Sequence, residues 1–197
     1  MSERIARRVL IVEDETLVRL GLAKQLREIG HTVVGEASNV AEARQMFREQ
    51  KPDVVLLDIR LGDEDGIQVG QELLQERRVP MLIVTAHSEP DTVARAAEAG
   101  VFGYLLKEPS NEAMAAQIEV AVQRFIDYET LARKNEELIA NLENRKLIER
   151  AKGILMKRAN LDEPAAHRRL QTESQKRRIN IVELAKKIIE TDSVLEG

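Results

Sequence analysis

Four of the five short apolar runs in the first 110 residues stop at a side chain that phosphate chemistry can use. VLIV is followed by Glu13 and Asp14, VVLL by Asp58, MLIV by Thr85 and YLL by Lys107, whereas TVVG ends without such a group. Magnesium prefers oxygen ligands, typically one or two carboxylates with waters and phosphate oxygens completing an octahedron. A carboxylate can also attack phosphorus and become an acyl phosphate. The ammonium of Lys107 and the hydroxyl of Thr85 would then serve the oxygens of a transferring group, one by charge and the other by a hydrogen bond. Together these residues suggest a divalent cation, a phosphoryl group and a carboxylate to receive it.

They can cooperate only if the fold gathers them. Runs rich in β-branched residues at 9–12, 32–36, 53–57, 81–84 and 103–106 alternate with helix-like segments at 17–29, 40–49, 67–76, 92–99 and from 111 onward. Gly30, Pro52, Gly62, Gly66, Pro80, Pro90, Gly100 and Pro109 punctuate them. Five βα units predict a doubly wound, five-stranded parallel sheet, an α/β fold. In such a sheet the ligand sits beyond the carboxyl ends of the strands, near a switch in strand order. Taken singly, each residue has a plainer role: helix N-terminal charge for Glu13 and Asp14, a turn cap for Asp58, strand propensity for Thr85, a surface charge for Lys107. Their joint position at four strand ends favours the shared site.

Composition narrows the partners. The 197 residues include no cysteine, which excludes disulfides and thiolate zinc sites, and no tryptophan, with two Tyr and three Phe. Stacking platforms for single-stranded nucleic acid are therefore not expected. No apolar stretch has the length of a membrane helix and no signal-like segment follows Met1, so a cytoplasmic protein is expected. Charge is divided unevenly. Through position 143 there are 17 Lys and Arg against 26 Asp and Glu, and after it 13 against 8. An acidic front and a basic tail predict two domains, the second able to meet a polyanion.

After Pro109 no proline occurs until Pro164, and the only glycine between them is Gly153. The last helix of the first domain can therefore run on as a linking helix over 128–143. A heptad phase places Tyr128, Leu131, Asn135, Leu138 and Leu142 at alternating a and d positions, a short dimer seam with Asn135 able to set register. The alternative is packing of this helix on its own chain. The tail predicts a small all-α domain of three helices over 144–192. The first runs through RKLIERAKGILMKR, the second is capped by Asp162, and the third is opened by Asn180 and Glu183 as a capping box.

The segments VLIVEDE, PDVVLLDIRLGDEDG, MLIVTAHS and GYLLKEPS resemble the receiver domain of two-component response regulators over about residues 7–127. The resemblance implies that a sensor histidine kinase phosphorylates Asp58. It also implies that Glu13, Asp14, Asp58 and the backbone carbonyl of Arg60 hold Mg2+. Lys107 would pair with the phosphoryl group, and Thr85 with Tyr104 would form a switch. Three positions depart from the family pattern: Glu13 where Asp is commoner, Gly62 where the loop usually has Pro, and Glu108 inserted between Lys107 and Pro109. The cis peptide common after the lysine is cheap before proline but costs about 2.5–4 kcal/mol before other residues. Lys107–Glu108 is therefore either trans or strained.

The tail is similar to an ANTAR domain over about residues 142–190, most specifically at Ala151-Lys152-Gly153, and the similarity continues through Glu163, Ala166, Leu170, Ser174 and the segment 182–185. That resemblance implies recognition of hairpin loops in leader transcripts, promoting antitermination. His167 departs from the usual aromatic and Gln171 from the usual Arg; His167 is expected to be a packed helix residue. Lys152, Lys157, Arg158, Arg168, Arg169, Lys176, Arg177 and Arg178 supply positive charge for RNA. Two other readings remain: a DNA-binding helix-turn-helix output, against which the apolar IVELAKKII argues, and a tail that only dimerises. A homodimer formed on phosphorylation is expected.

Overall fold

The computed structural model describes residues 5–85 and 90–196. In chain order the elements are β1 (Arg8–Val12), α1 (Thr16–Glu28), β2 (Thr32–Ala37), α2 (Val40–Gln50), β3 (Val54–Asp58), β4 (Arg60–Leu61), β5 (Glu64–Asp65), α3 (Gly66–Glu76), β6 (Met81–Thr85), α4 (Pro90–Glu98), β7 (Gly103–Leu106), α5 (Asn111–Ala159), α6 (Glu163–Arg177) and α7 (Ile181–Glu196). They fall into two compact units, residues 1–129 and 130–197.

The first unit is built on a parallel sheet in the order β2-β1-β3-β6-β7. Alternation along each strand divides the core in two. Leu10, Val12, Val55, Leu57, Met81 and Ile83 face α2, α3 and α4, where Phe47 and Leu73 are fully buried. Val9, Ile11, Val54, Leu56, Leu82 and Val84 face α1 and the start of α5, meeting Leu22, Leu26, Met114 and Ile118. Every residue of β3 and β6 is buried because helices cover both faces. The fold is the doubly wound α/β class that alternation predicts. One feature beyond that pattern is the antiparallel β4–β5 hairpin, which pairs Arg60 with Asp65 just after the Asp58 strand.

The chain moves outward from β1 in both directions, so β1 and β3 flank the switch in strand order. Their carboxyl ends carry Glu13, Asp14 and Asp58, and β6 and β7 deliver Thr85 and Lys107 to the same edge.

In the second unit the first of the three expected tail helices is not separate. It is the last part of the 49-residue α5, which continues through Gly153 because no breaker interrupts it. Ala151, Leu170, Leu184 and Ala185 form a small core with Leu147, Ile148 and Ile188 packed around it. Asp162 caps α6 by accepting from the Ala165 N–H at 2.8 Å, with Pro164 in the first turn. The expected reciprocal capping box at α7 is only half present. Asn180 accepts from the Val182 N–H at 2.8 Å, while Glu183 pairs forward with Lys187 at 3.0 Å.

Candidate functional site

Lys107 Nζ lies 2.9 Å from Asp58 Oδ2, 3.1 Å from Glu13 Oε1 and 3.1 Å from Glu15 Oε1. One oxygen each from Glu13, Asp14 and Asp58 lies within 4.8 Å of the others. Glu13 and Asp58 are buried, Thr85 is buried beside them, and Asp14 is exposed. Glu13 Oε1 also accepts from the Glu15 N–H at 3.2 Å, but its Oε2 is buried with no hydrogen-bond partner. An orphaned carboxylate oxygen among two further carboxylates is a place for a cation. Burial first, and then the neighbouring Asp58 carboxylate, push the Glu13 carboxyl up to about 7 against the opposing pull of Lys107 and the Glu15 N–H. For Lys107, burial alone would favour the neutral amine, but hydrogen bonds to Asp58, Glu13 and Glu15 outweigh it and hold the ammonium charged well above the usual lysine range.

Residues that the strand-end pattern does not single out shape this site. Arg19 Nη1 donates to the Glu13 carbonyl at 2.6 Å and the Asp14 carbonyl at 3.3 Å, which fixes the acidic turn after β1. The Gly62 N–H donates to Asp14 Oδ2 at 3.0 Å, and the Arg60 N–H reaches Asp58 Oδ1 at 3.4 Å. At Gly66 a Cβ would stand 1.9 Å from the Asp58 carbonyl oxygen, so only glycine lets α3 start against β3. Lys107–Glu108 is trans, like every peptide bond among the described residues, and Glu108 turns the chain with a left-handed φ of 58°. The insertion is thus absorbed after the lysine, whose N–H still bonds the Thr85 carbonyl at 2.7 Å. Tyr104 hydrogen-bonds the Thr85 side chain, and its phenol is raised chiefly by burial.

A receiver-domain model for response regulators matches residues 9–119, and an ANTAR-domain model matches residues 136–189. The transcriptional regulatory protein PdtaR of Mycobacterium tuberculosis is 40% identical over 187 residues, covering 95% of this chain and 91% of PdtaR. Among solved structures, a two-component response regulator of the LuxR family from Aurantimonas is 30% identical with a TM-score of 0.56. It matches 60% of this chain and 86% of its own. The BeF3-activated N-terminal receiver domain of Klebsiella pneumoniae RstA is 26% identical with a TM-score of 0.54, covering 58% and 97%. The chain is a response regulator with an ANTAR output domain. No helix among the described residues is long and apolar enough to cross a membrane.

The basic residues of the ANTAR domain are placed unequally. Lys157, Arg158, Arg168, Arg169, Lys176, Arg177 and Arg178 are exposed, with Arg178 in a left-handed conformation at the end of α6. Lys152 is not presented to solvent. Its side chain is 8% exposed and ion-paired to Glu149 at 2.9 Å and Glu163 at 2.8 Å, so it joins α5 to the start of α6. Hydrogen bonds to these carboxylates raise the Lys152 ammonium, and the Lys152 ammonium in turn lowers Glu163. His167 is exposed on α6 rather than packed, because Ala166 and Leu170 take the inward positions.

Along α5, Leu131, Leu138 and Leu142 are exposed, as are Asn135 and Ile139. Tyr128 stands apart from that row. Its ring lies edge-on to Phe102, with centroids 5.7 Å apart, and under the Arg78 guanidinium.

Proposed function

We propose that this response regulator accepts a phosphoryl group on Asp58 from a sensor histidine kinase and then binds hairpin loops of leader RNA to promote antitermination in the cytoplasm. The observation that carries the first half is the buried Asp58 carboxylate, 2.9 Å from Lys107 and beside two further carboxylates. Asp58 attacks phosphorus, and the bond from phosphorus to the donor's imidazole nitrogen breaks as the acyl phosphate forms. Glu13, Asp14, Asp58 and the Arg60 carbonyl would hold Mg2+, which the partnerless Glu13 Oε2 suits. The bound ion supplies charge neutralisation for the transferring oxygens. Lys107 passes from the Asp58 carboxylate to a phosphoryl oxygen. Thr85 turns its hydroxyl to another oxygen and gives up Tyr104, which is the switch.

The ANTAR match supports RNA as the target. Seven exposed cations on α5, α6 and the α6 end supply charge for phosphates, with Lys152 in a positioning role. Leu131, Leu138 and Leu142, with Asn135 between them, form the seam on which phosphorylated copies pair. Two linked tails gain avidity on an RNA bearing two suitably spaced hairpins. A helix-turn-helix reading is less well supported, since the exposed face of α7 carries Glu183 and Glu190 against Lys186 and Lys187, with no charge surplus to meet a DNA groove.

Incubation with magnesium and a small phosphodonor should add one phosphoryl group to the wild type and none to Asp58→Asn; unchanged labelling of the variant removes the site. Competition between a looped hairpin and a fully paired stem of equal length tests the output. Paired RNA hides its base edges in a deep, narrow groove, so recognition favours the loop. Charge alone gives salt dependence without that preference. Tighter binding to duplex DNA would favour the helix-turn-helix reading.

A further inference from the structure

The second unit contains a cavity of about 500 Å3 where the end of α5 meets α6 and α7. Its floor is aliphatic: Ile154, Leu170, Leu184 and Ile188. Four cations, Arg158, Arg169, Arg177 and Lys187, stand around it. Two carboxylates share the lining, but each is already engaged: Asp192 accepts from Arg158 at 2.8 Å and Glu173 from Arg177 at 3.3 Å. Arg169 has no ion pair among the described residues and faces solvent. Lys187 pairs with Glu183, outside the lining, at 3.0 Å, so among the described residues Arg169 is the lining cation left without an ion pair above the apolar floor.

We infer that this cavity receives an unstacked base of an RNA loop, with the flanking phosphates on its cationic rim; the inference rests on the RNA-binding reading above. The volume falls within the roughly 300–1,000 Å3 of small-ligand sites. A flat base presents an apolar face that an aliphatic floor can cover, and an edge that polar groups can read. Guanidinium planes stack on bases and also bind phosphate, which suits arginine better than lysine on a rim poor in aromatics. A free inorganic anion would gain nothing from the floor and would meet Glu173 and Asp192. A paired stem would not offer a base to the cavity at all. The cations that matter for recognition are thus a subset of the basic residues: Arg158, Arg169 and Arg177, together with Lys187, which adjoins them only through the packing of α7.

The test uses the full chain and a hairpin RNA whose loop carries 4-thiouridine or 2-aminopurine, with its fully paired stem as the competitor. Arg169→Glu should weaken hairpin binding at least tenfold. Lys186→Glu, the same charge reversal at an exposed neighbouring position outside the lining, should weaken it less than threefold. In the wild type, 2-aminopurine fluorescence should rise on binding, and the thiouridine cross-link should map to residues 154–158 or 187–191. Equal losses in the two variants, or cross-links confined to other surfaces, would overturn the cavity while leaving RNA binding intact. A change of oligomeric state in Arg169→Glu with hairpin affinity unchanged would make the face an interface between copies and also overturn it. Absence of hairpin binding by the phosphorylated wild type would instead remove the RNA reading itself. Circular dichroism of each variant confirms that helix content is retained.

Discussion

Replacing Glu13 by Gln should stabilise the metal-free protein, although Glu13 sits in the proposed metal site. The Glu13 carboxyl is buried, has one oxygen without a partner, and is held at about 7 instead of the ordinary 4.5. That difference corresponds to about 3 kcal/mol at about 1.4 kcal/mol per pH unit. The folded state binds this proton more tightly than the unfolded chain. Between about pH 4.5 and 7 it therefore holds more protons, and stability falls as pH rises. Below that window the effect vanishes; above it the loss is complete. Glutamine carries no charge and keeps an acceptor for Lys107 and the Glu15 N–H, but its amide nitrogen then occupies the partnerless position. A net gain of about 1–2 kcal/mol at pH 8 is expected, shrinking towards zero near pH 5. Both tyrosines, Tyr104 and Tyr128, lie in the first unit and there is no tryptophan. Tyrosine fluorescence in urea titrations with a chelator therefore reads this unit selectively. Adding magnesium should reverse the order, because the wild type binds the ion more tightly and gains more from it. A wild type more stable than Glu13→Gln at pH 8 in chelator, or a difference independent of pH, would refute the reasoning.

Gly66→Ala should destabilise the receiver by about 3 kcal/mol, the upper end of ordinary overpacking costs, because its Cβ meets the Asp58 carbonyl oxygen. Labelling of Asp58 should slow as well; a wild-type urea midpoint would refute the clash. Leu138→Glu should leave stability within about 0.5 kcal/mol, as exposed positions do, and leave labelling intact. Sedimentation of the phosphorylated protein should then show monomers, whereas persistent dimers would place the interface elsewhere. Lys152→Met should lower the melting temperature of the ANTAR unit, and its loss of hairpin affinity should be restored where helix content is restored. Affinity lost with the fold intact would make Lys152 a direct contact.

The fold class was legible because parallel strands buried on both faces are written as short apolar runs, and the helices between them carry their own periodicity. Strand ends are local facts, so the positions of Glu13, Asp14, Asp58, Thr85 and Lys107 at one edge follow once the sheet is parallel. Their distances do not. That Lys107 spans three carboxylates depends on Glu108 taking a left-handed turn after β7, a choice no run of residues announces. The need for Gly66 is also invisible in sequence, since it arises from the approach of α3 to the Asp58 carbonyl. In the basic half, residue type alone made Lys152 look like a nucleic-acid contact. Its burial is decided by Glu163, which the turn after α5 brings back against it. Tyr128 fits the heptad phase as well as the leucines do, yet its ring is drawn to Phe102 and Arg78. Sequence determined which surfaces are apolar and which are charged, because periodicity is a property of the chain. Tertiary structure alone decided which charges distant in sequence meet, as Lys107 meets Asp58 and Lys152 meets Glu163, because separation along the chain does not set distance in space once the chain turns back on itself.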